Sequence, residues 1–191
     1  METTLDVSLM ELTEGQFYQL CQANRDLRLE LSAAGELSIM PPTGWETGKR
    51  NSDLNGQLWA WTRQNKLGIA FDSSTGFKLP SGANRSPDAS WVERLRIEAI
   101  DPDPGKFLPL APDFLIELRS ATHSLATLQK KMQEYQDNGV RLGWLINPPN
   151  REVEVYRIGQ AIEVLSSPML LSGEDVPAEW PATVMRAGSP P

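Results

Sequence analysis

One cysteine, Cys21, and one histidine, His123, occur in the 191 residues. A lone cysteine excludes an internal disulfide framework and fits a reducing compartment. One Cys and one His together also exclude the usual Cys/His zinc centre. No apolar run approaches the roughly 20 residues of a membrane-spanning helix, and the acidic opening from Met1 to Asp6 lacks a signal-peptide pattern. A cytoplasmic protein without a membrane partner is the expectation. Basic residues are in deficit, with 18 Lys and Arg against 25 Asp and Glu and a net charge of −7. That balance argues against a protein that coats nucleic acid non-specifically. It does not exclude a nuclease, because a carboxylate site adds negative charge and a groove needs only local cations.

Two familiar motifs are also missing. Gly44 to Arg50 is one residue short of a phosphate-binding loop, and Arg50 stands where Ser or Thr is needed. No Gly-x-Ser-x-Gly elbow accompanies His123, Ser120, Ser124 and Asp113, so a Ser-His-Asp hydrolase is not read here. His123 falls on the solvent side of the helix it precedes, and Asp113 reads as a strand start.

What the chain does have is a globular composition, 40% hydrophobic and 23% charged, enough for a core of ordinary size. Residues 1–175 read as a single domain and 176–191 as an irregular Pro-, Gly- and Ala-rich tail. Thr13-Glu14-Gly15-Gln16 is a capping box that predicts a helix to Asn24, with Cys21 beside Phe17 and Leu20 as a plain core residue. Leu27–Leu31 and Glu36–Met40 predict a hairpin whose Leu positions are buried and whose Arg28 and Glu30 face water. A helix from Glu46 to Lys66 follows. Its apolar face of Leu54, Leu58 and Trp61 gives way to Thr47 and Asn51, so that end either emerges into solvent or lines a site. Strands are expected at 68–72, 76–79 and 88–92. The stretch 93–110 reads as a surface connection of unusual length, with room for one helical turn. Further strands are expected at 114–118, 141–147, 152–157 and 162–165, the third with one wet face. A helix over 124–138 stops at Gly139. This order predicts an α/β (α+β) fold, a mixed β-sheet flanked by helices.

Chemistry concentrates between Ser86 and Lys131. Phe114-Leu115-Ile116-Glu117-Leu118 is an apolar strand with one carboxylate inside it. A buried carboxylate costs several kcal/mol unless it is paired or binds a metal, so Glu117 needs a partner. Asp88 with a divalent cation is the candidate. On the following helix Lys131 lies only ~70° from the centre of the apolar face, at ~100° per residue, whereas Lys130 lies ~170° away. Lys131 either snorkels along the core edge or reaches toward Glu117.

These pieces resemble the PD-(D/E)XK nuclease superfamily and, more narrowly, the Uma-two family of restriction-endonuclease-like proteins, a type abundant in cyanobacteria. The matching segments are Gly44 to Arg50, Asp72 to Leu79, Arg85 to Trp91, Pro112 to Ser120, Lys131 to Tyr135 and Asn138 to Pro148. The resemblance implies a restriction-endonuclease-like core preceded by the N-terminal helix and hairpin. It implies Asp88, Glu117 and the Leu118 carbonyl as ligands of Mg²⁺ or Mn²⁺, hard cations that prefer oxygen. Glu46 matches a helix glutamate that many members add. It also implies DNA as partner and a homodimer. The chain departs from the pattern at Arg119, two residues after Glu117, where the motif has lysine. Arginine stays protonated and cannot act as a base, but it could hold the scissile phosphate. Lys131 would then supply the ammonium from a displaced position. Lys49, Arg50, Arg85, Arg94 and Arg96 are candidate contacts to a nucleic-acid backbone, each more commonly a solvated charge. Three readings compete: an endonuclease, an inactive nuclease-like binding module, and an interaction protein whose carboxylates are satisfied by Arg or Lys.

Overall fold

A computed structural model describes residues 3–120, 123–176 and 180–183. The N-terminal part is a strand β1 (Thr3–Asp6), a helix α1 (Glu14–Ala23) and a hairpin of β2 (Arg28–Leu31) and β3 (Glu36–Met40). The capping box forms as expected: Thr13 Oγ1 accepts from the Gln16 amide at 3.3 Å, and the Gln16 side chain accepts from the Thr13 amide at 2.8 Å. Phe17 of α1 packs on Leu29, Leu31 and Leu37 of the hairpin. At the hairpin turn Gly35 has φ +82, and a Cβ there would lie 2.6 Å from the Ser8 backbone, so both dihedral and space require glycine.

Next come helix α2 (Trp45–Asn65), β4 (Gly68–Asp72), β5 (Phe77–Lys78), β6 (Asn84–Arg85), β7 (Ala89–Glu93), α3 (Arg94–Ile100) and β8 (Phe114–Leu118). Helix α4 (Leu125–Asp137), β9 (Leu142–Asn147), β10 (Glu152–Arg157), β11 (Glu163–Ser166), β12 (Leu170–Ser172) and β13 (Pro181–Thr183) complete the described chain. One sheet has the order β1-β3-β2-β6-β5, the larger β11-β10-β9-β8-β7-β4. Every named pairing is antiparallel except β8 with β9, where Glu117 stands opposite Leu145. Parallel neighbours need a crossover, and α4 is that crossover.

Helix α4 therefore lies on one face of the six-stranded sheet, with α2 and the β12–β13 pair on the other. Leu54 and Leu58 of α2 share a core with Phe114, Ile116, Leu118, Trp144 and Trp180. Leu128, Met132 and Tyr135 of α4 share the opposite core with Leu115, Leu145 and Val92. Alternation along β8 sorts its side chains between these two layers. Phe114, Ile116 and Leu118 face α2, so Leu115 and Glu117 face α4.

Three expectations need correction. The 152–157 strand has no wet face: Glu154 is buried, accepting from Gln129 Nε2 at 2.7 Å and the Tyr156 hydroxyl at 2.5 Å. The 93–110 connection holds seven residues of helix, and its Phe107 packs on Phe17 and Tyr18. The expected tail from 176 is not irregular at 180–183, where β13 pairs with β12 and Trp180 is buried. Positions 177–179 and 184–191 of that tail lie outside the described residues. Cys21 is half-buried at the edge of the α1 core, and burial pushes its thiol above the ordinary range.

Candidate active site

A cleft of about 990 Å³ opens between the β2–β3 hairpin, the N-terminal end of α2 and the facing ends of β8 and α4. Asp88, just before β7, and Glu117 of β8 both line it. They come together because β7 and β8 are antiparallel neighbours, with Ala89 opposite Ile116. The next amide up the strand, that of Leu118, donates to Asp88 Oδ2 at 2.8 Å. Asn55 of α2 donates to the Asp88 carbonyl at 2.9 Å, fixing that corner from the other face.

Glu117 is 3% exposed. Its Oε1 accepts from Lys131 Nζ at 2.8 Å and from the Tyr135 hydroxyl at 3.0 Å, both on α4. The helical spacing i, i+4 puts these two donors one above the other. Lys131 therefore leans to the sheet, and its neighbour Lys130 is exposed. Lys131 Nζ also meets Glu30 of β2, at 3.0 Å from Oε1 and 2.9 Å from Oε2.

Electrostatics follow from this crowding. Burial pushes the Glu117 carboxyl up, the Lys131 ammonium pulls it back, and Asp88 and Glu30 push it up again, to about 7. For Glu30, burial is the largest single influence and acts upward. The combined attraction of Lys131, Arg85 and Arg28 outweighs it and leaves Glu30 below the usual range. Burial would lower the Lys131 ammonium, but Glu117 and Glu30 hold it above its ordinary value. Burial and both carboxylates push the Tyr135 phenol well up.

The other expected residues are placed unevenly. Glu46, in the first turn of α2, lines the cleft and pairs with Arg50 at 2.5 Å. Thr47 and Asn51 line it too, so the polar end of the α2 face borders the cleft. His123 also lines the cleft and is half-buried there. Arg119 is not among the lining residues. Its Nε donates to the His123 carbonyl at 2.9 Å and its Nη1 to Asn147 Oδ1 at 3.0 Å. Arg85 is no open phosphate contact: it is buried, 2.6 Å from Glu134 and 3.3 Å from Glu30. Arg96 pairs with Asp113 at 2.7 Å. Asp113, 1% exposed, also accepts from the Glu93 amide at 2.8 Å and anchors the start of β8.

Sequence reasoning misses Glu30, Arg28 and Tyr135. Arg28 Nη1 stands 3.6 Å from Asp88 Oδ1, and its Nη2 donates to the Ser86 carbonyl at 2.5 Å. Both β2 residues occupy the face that alternation assigns to water, and helical spacing places Tyr135 with the apolar core.

A family model described as "Uma2: Putative restriction endonuclease" matches residues 15–185. The chain belongs to the Uma2 family. Its fold is similar to that of "a putative nuclease belonging to DUF820" from Anabaena variabilis ATCC 29413, known from a crystal structure, with 22% identity and a TM-score of 0.70. The likeness covers 82% of this chain and 87% of that one, and at that identity it speaks for the fold. No curated protein matches. Among the described residues no helix is long and apolar enough to cross a membrane.

Whether this Uma2 site suits a divalent cation turns on its donors. Among the described residues no three Asp, Glu, His or Cys side chains gather as a metal-holding group. Glu46 therefore does not complete a trio with Asp88 and Glu117. Two carboxylates in a polar cleft still fit Mg²⁺, which usually keeps several waters and takes one or two carboxylates plus substrate phosphate.

Proposed function

We propose that this Uma2 protein is a metal-dependent endonuclease that hydrolyses phosphodiester bonds of DNA. The observation that carries the reading is the Asp88–Glu117 pair on neighbouring strands of one polar cleft, with Lys131 Nζ 2.8 Å from Glu117. Asp88, Glu117 and the Leu118 carbonyl would hold Mg²⁺ or Mn²⁺. Bound there, the cation supplies a Lewis acid for a phosphoryl oxygen and a water of lowered pKa. In the net reaction the water oxygen joins phosphorus as one P–O ester bond breaks, leaving a phosphate monoester end and a hydroxyl end.

The chain's own groups then have separate tasks. Lys131 offers an ammonium, fixed from a helix rather than from the strand position of the motif, to charge developing on the phosphoryl oxygens. Tyr135 orients Glu117 by holding one carboxylate oxygen. Arg28 offsets the charge of Asp88. Glu46 borders the path to the site from α2. Arg119, held by the His123 carbonyl and Asn147, would assist from the edge of the site. The protein acts in the cytoplasm as a homodimer, whose two-fold symmetry would present two such clefts to the two strands of DNA.

A second reading is favoured by one feature. Both carboxylates already face cations, Asp88 facing Arg28 and Glu117 facing Lys131, as in an interaction protein whose carboxylates are satisfied by Arg or Lys, or in a nuclease-like module that binds without cutting. Incubation of plasmid and single-stranded DNA with Mg²⁺ or Mn²⁺ separates the two. The endonuclease reading predicts cleavage by wild type, abolished by EDTA and by Glu117→Ala. DNA binding without cleavage in either metal would favour the binding module.

A further inference from the structure

We infer that Glu30 is a positioning residue of this site: from the smaller sheet it holds the Lys131 ammonium against Glu117. The inference rests on the endonuclease reading above and extends it to a residue outside the nuclease motif.

The geometry is specific. Lys131 Nζ has three carboxylate oxygens close around it: Glu117 Oε1 at 2.8 Å, Glu30 Oε2 at 2.9 Å and Glu30 Oε1 at 3.0 Å. A flexible four-carbon stem is thereby fixed at its tip. Glu30 is fixed in turn. Its Oε1 accepts from the Ser86 amide at 3.0 Å, and its Oε2 meets Arg85 Nη1 at 3.3 Å. Arg85 is held by Glu134 at 2.6 Å, and Glu134 accepts from the Ala33 amide at 2.9 Å. Each partner of Lys131 has partners of its own, the supporting arrangement that reactive groups need to stay in register.

Fold stability alone does not account for this arrangement. Removing charges from water offsets most of what a buried ion pair gains, and apolar packing often serves as well. A salt bridge between β2 and α4 would also need only one carboxylate on the lysine. Here both oxygens of Glu30 face the ammonium, one of them accepting a hydrogen bond, and hold it beside Glu117 at the cleft. The smaller sheet thus contributes to the site and is not a mere appendage to the nuclease-like core.

The test uses the full chain and two readouts. Loss of a supporting partner at metal sites typically lowers activity about 10–100-fold. Glu30→Gln should reduce kcat in that range with KM within about threefold, and Glu30→Asp should fall between it and wild type. In a Lys131→Ala background, Glu30→Gln should change the rate by less than about twofold, because residues acting as one unit are not additive. The second readout needs no activity. The Lys131 ammonium signal in ¹⁵N NMR, assigned by its loss in Lys131→Ala, should shift or exchange away in Glu30→Gln. If Glu30→Gln does not fold, the same two measurements on Glu30→Asp decide. An unchanged ammonium signal, or an equal loss with and without Lys131, would overturn the inference. Absence of cleavage by wild type would instead count against the endonuclease reading, and the ammonium signal would still decide the role of Glu30.

Discussion

Replacing Trp180 by alanine should strip one of the largest side chains from the core beneath the site. Trp180 is 2% exposed, stacks on Trp144 at 5.5 Å and 15°, and meets Phe114 edge-on at 5.5 Å. About 200 Å² of buried indole at about 25 cal/mol per Å² corresponds to about 5 kcal/mol. The unfolded chain already buries part of that area, which reduces the figure to about 3–4.5 kcal/mol. Measured costs of Trp→Ala in cores, about 3–5 kcal/mol, agree. For a chain of this size each kcal/mol lowers Tm by about 2–4 °C, so Trp180→Ala should melt roughly 6–18 °C lower. Circular dichroism on wild type and variant measures it. A chain cut after residue 175 should lose at least as much, since it also loses β13. A drop below about 3 °C for Trp180→Ala would refute the placement of this segment in the core.

Metal-free protein should lose stability as pH rises from about 4.5 to about 7, because folded Glu117 keeps a proton that the unfolded chain has released. Glu30 acts oppositely: its stabilisation is present above about pH 4.5, the ordinary carboxylate range, and is lost as pH falls below it. Thermal melts across pH 3–8 should therefore peak near the lower edge of that window, and Glu117→Gln should flatten the fall; an unchanged fall in Glu117→Gln would contradict the assignment. Asp113→Ala should cost about 1–3 kcal/mol by urea unfolding, since it strands the Glu93 amide, while its half-exposed partner Arg96 returns to solvent. A loss under about 1 kcal/mol would show that Asp113 is not the anchor of β8.

Much of the fold is legible in the chain, and the reasons for that also mark where legibility ends. The Thr13 to Gln16 box, the hairpin and the β8–α4–β9 crossover rest on local chemistry and periodicity, which the fold obeys. Glu117 stands out because a carboxylate inside an apolar run demands a partner, and Lys131 because its helical angle leans to the core. Periodicity identifies the polar face of a strand but not whether another layer covers it. That pattern assigns Arg28, Glu30 and Glu154 to water, yet Glu30 and Glu154 are buried and Arg28 is half-buried in the cleft wall. Trp180 escapes for a similar reason: Pro and Ala around it read as irregular, while the slot beside Trp144 that it fills exists only after the sheet has formed. The partners of Arg119 are not legible either, because only the folded chain brings Asn147 and the His123 carbonyl to its guanidinium.

The central claim is that Asp88 and Glu117 together hold a divalent cation. Titration calorimetry with Mn²⁺ on wild type, Asp88→Ala and Glu117→Ala tests it most directly. One site per chain in wild type, lost or at least about tenfold weaker in each variant while all three stay folded, is the predicted result. No binding by wild type, or undiminished binding by both folded variants, would contradict it.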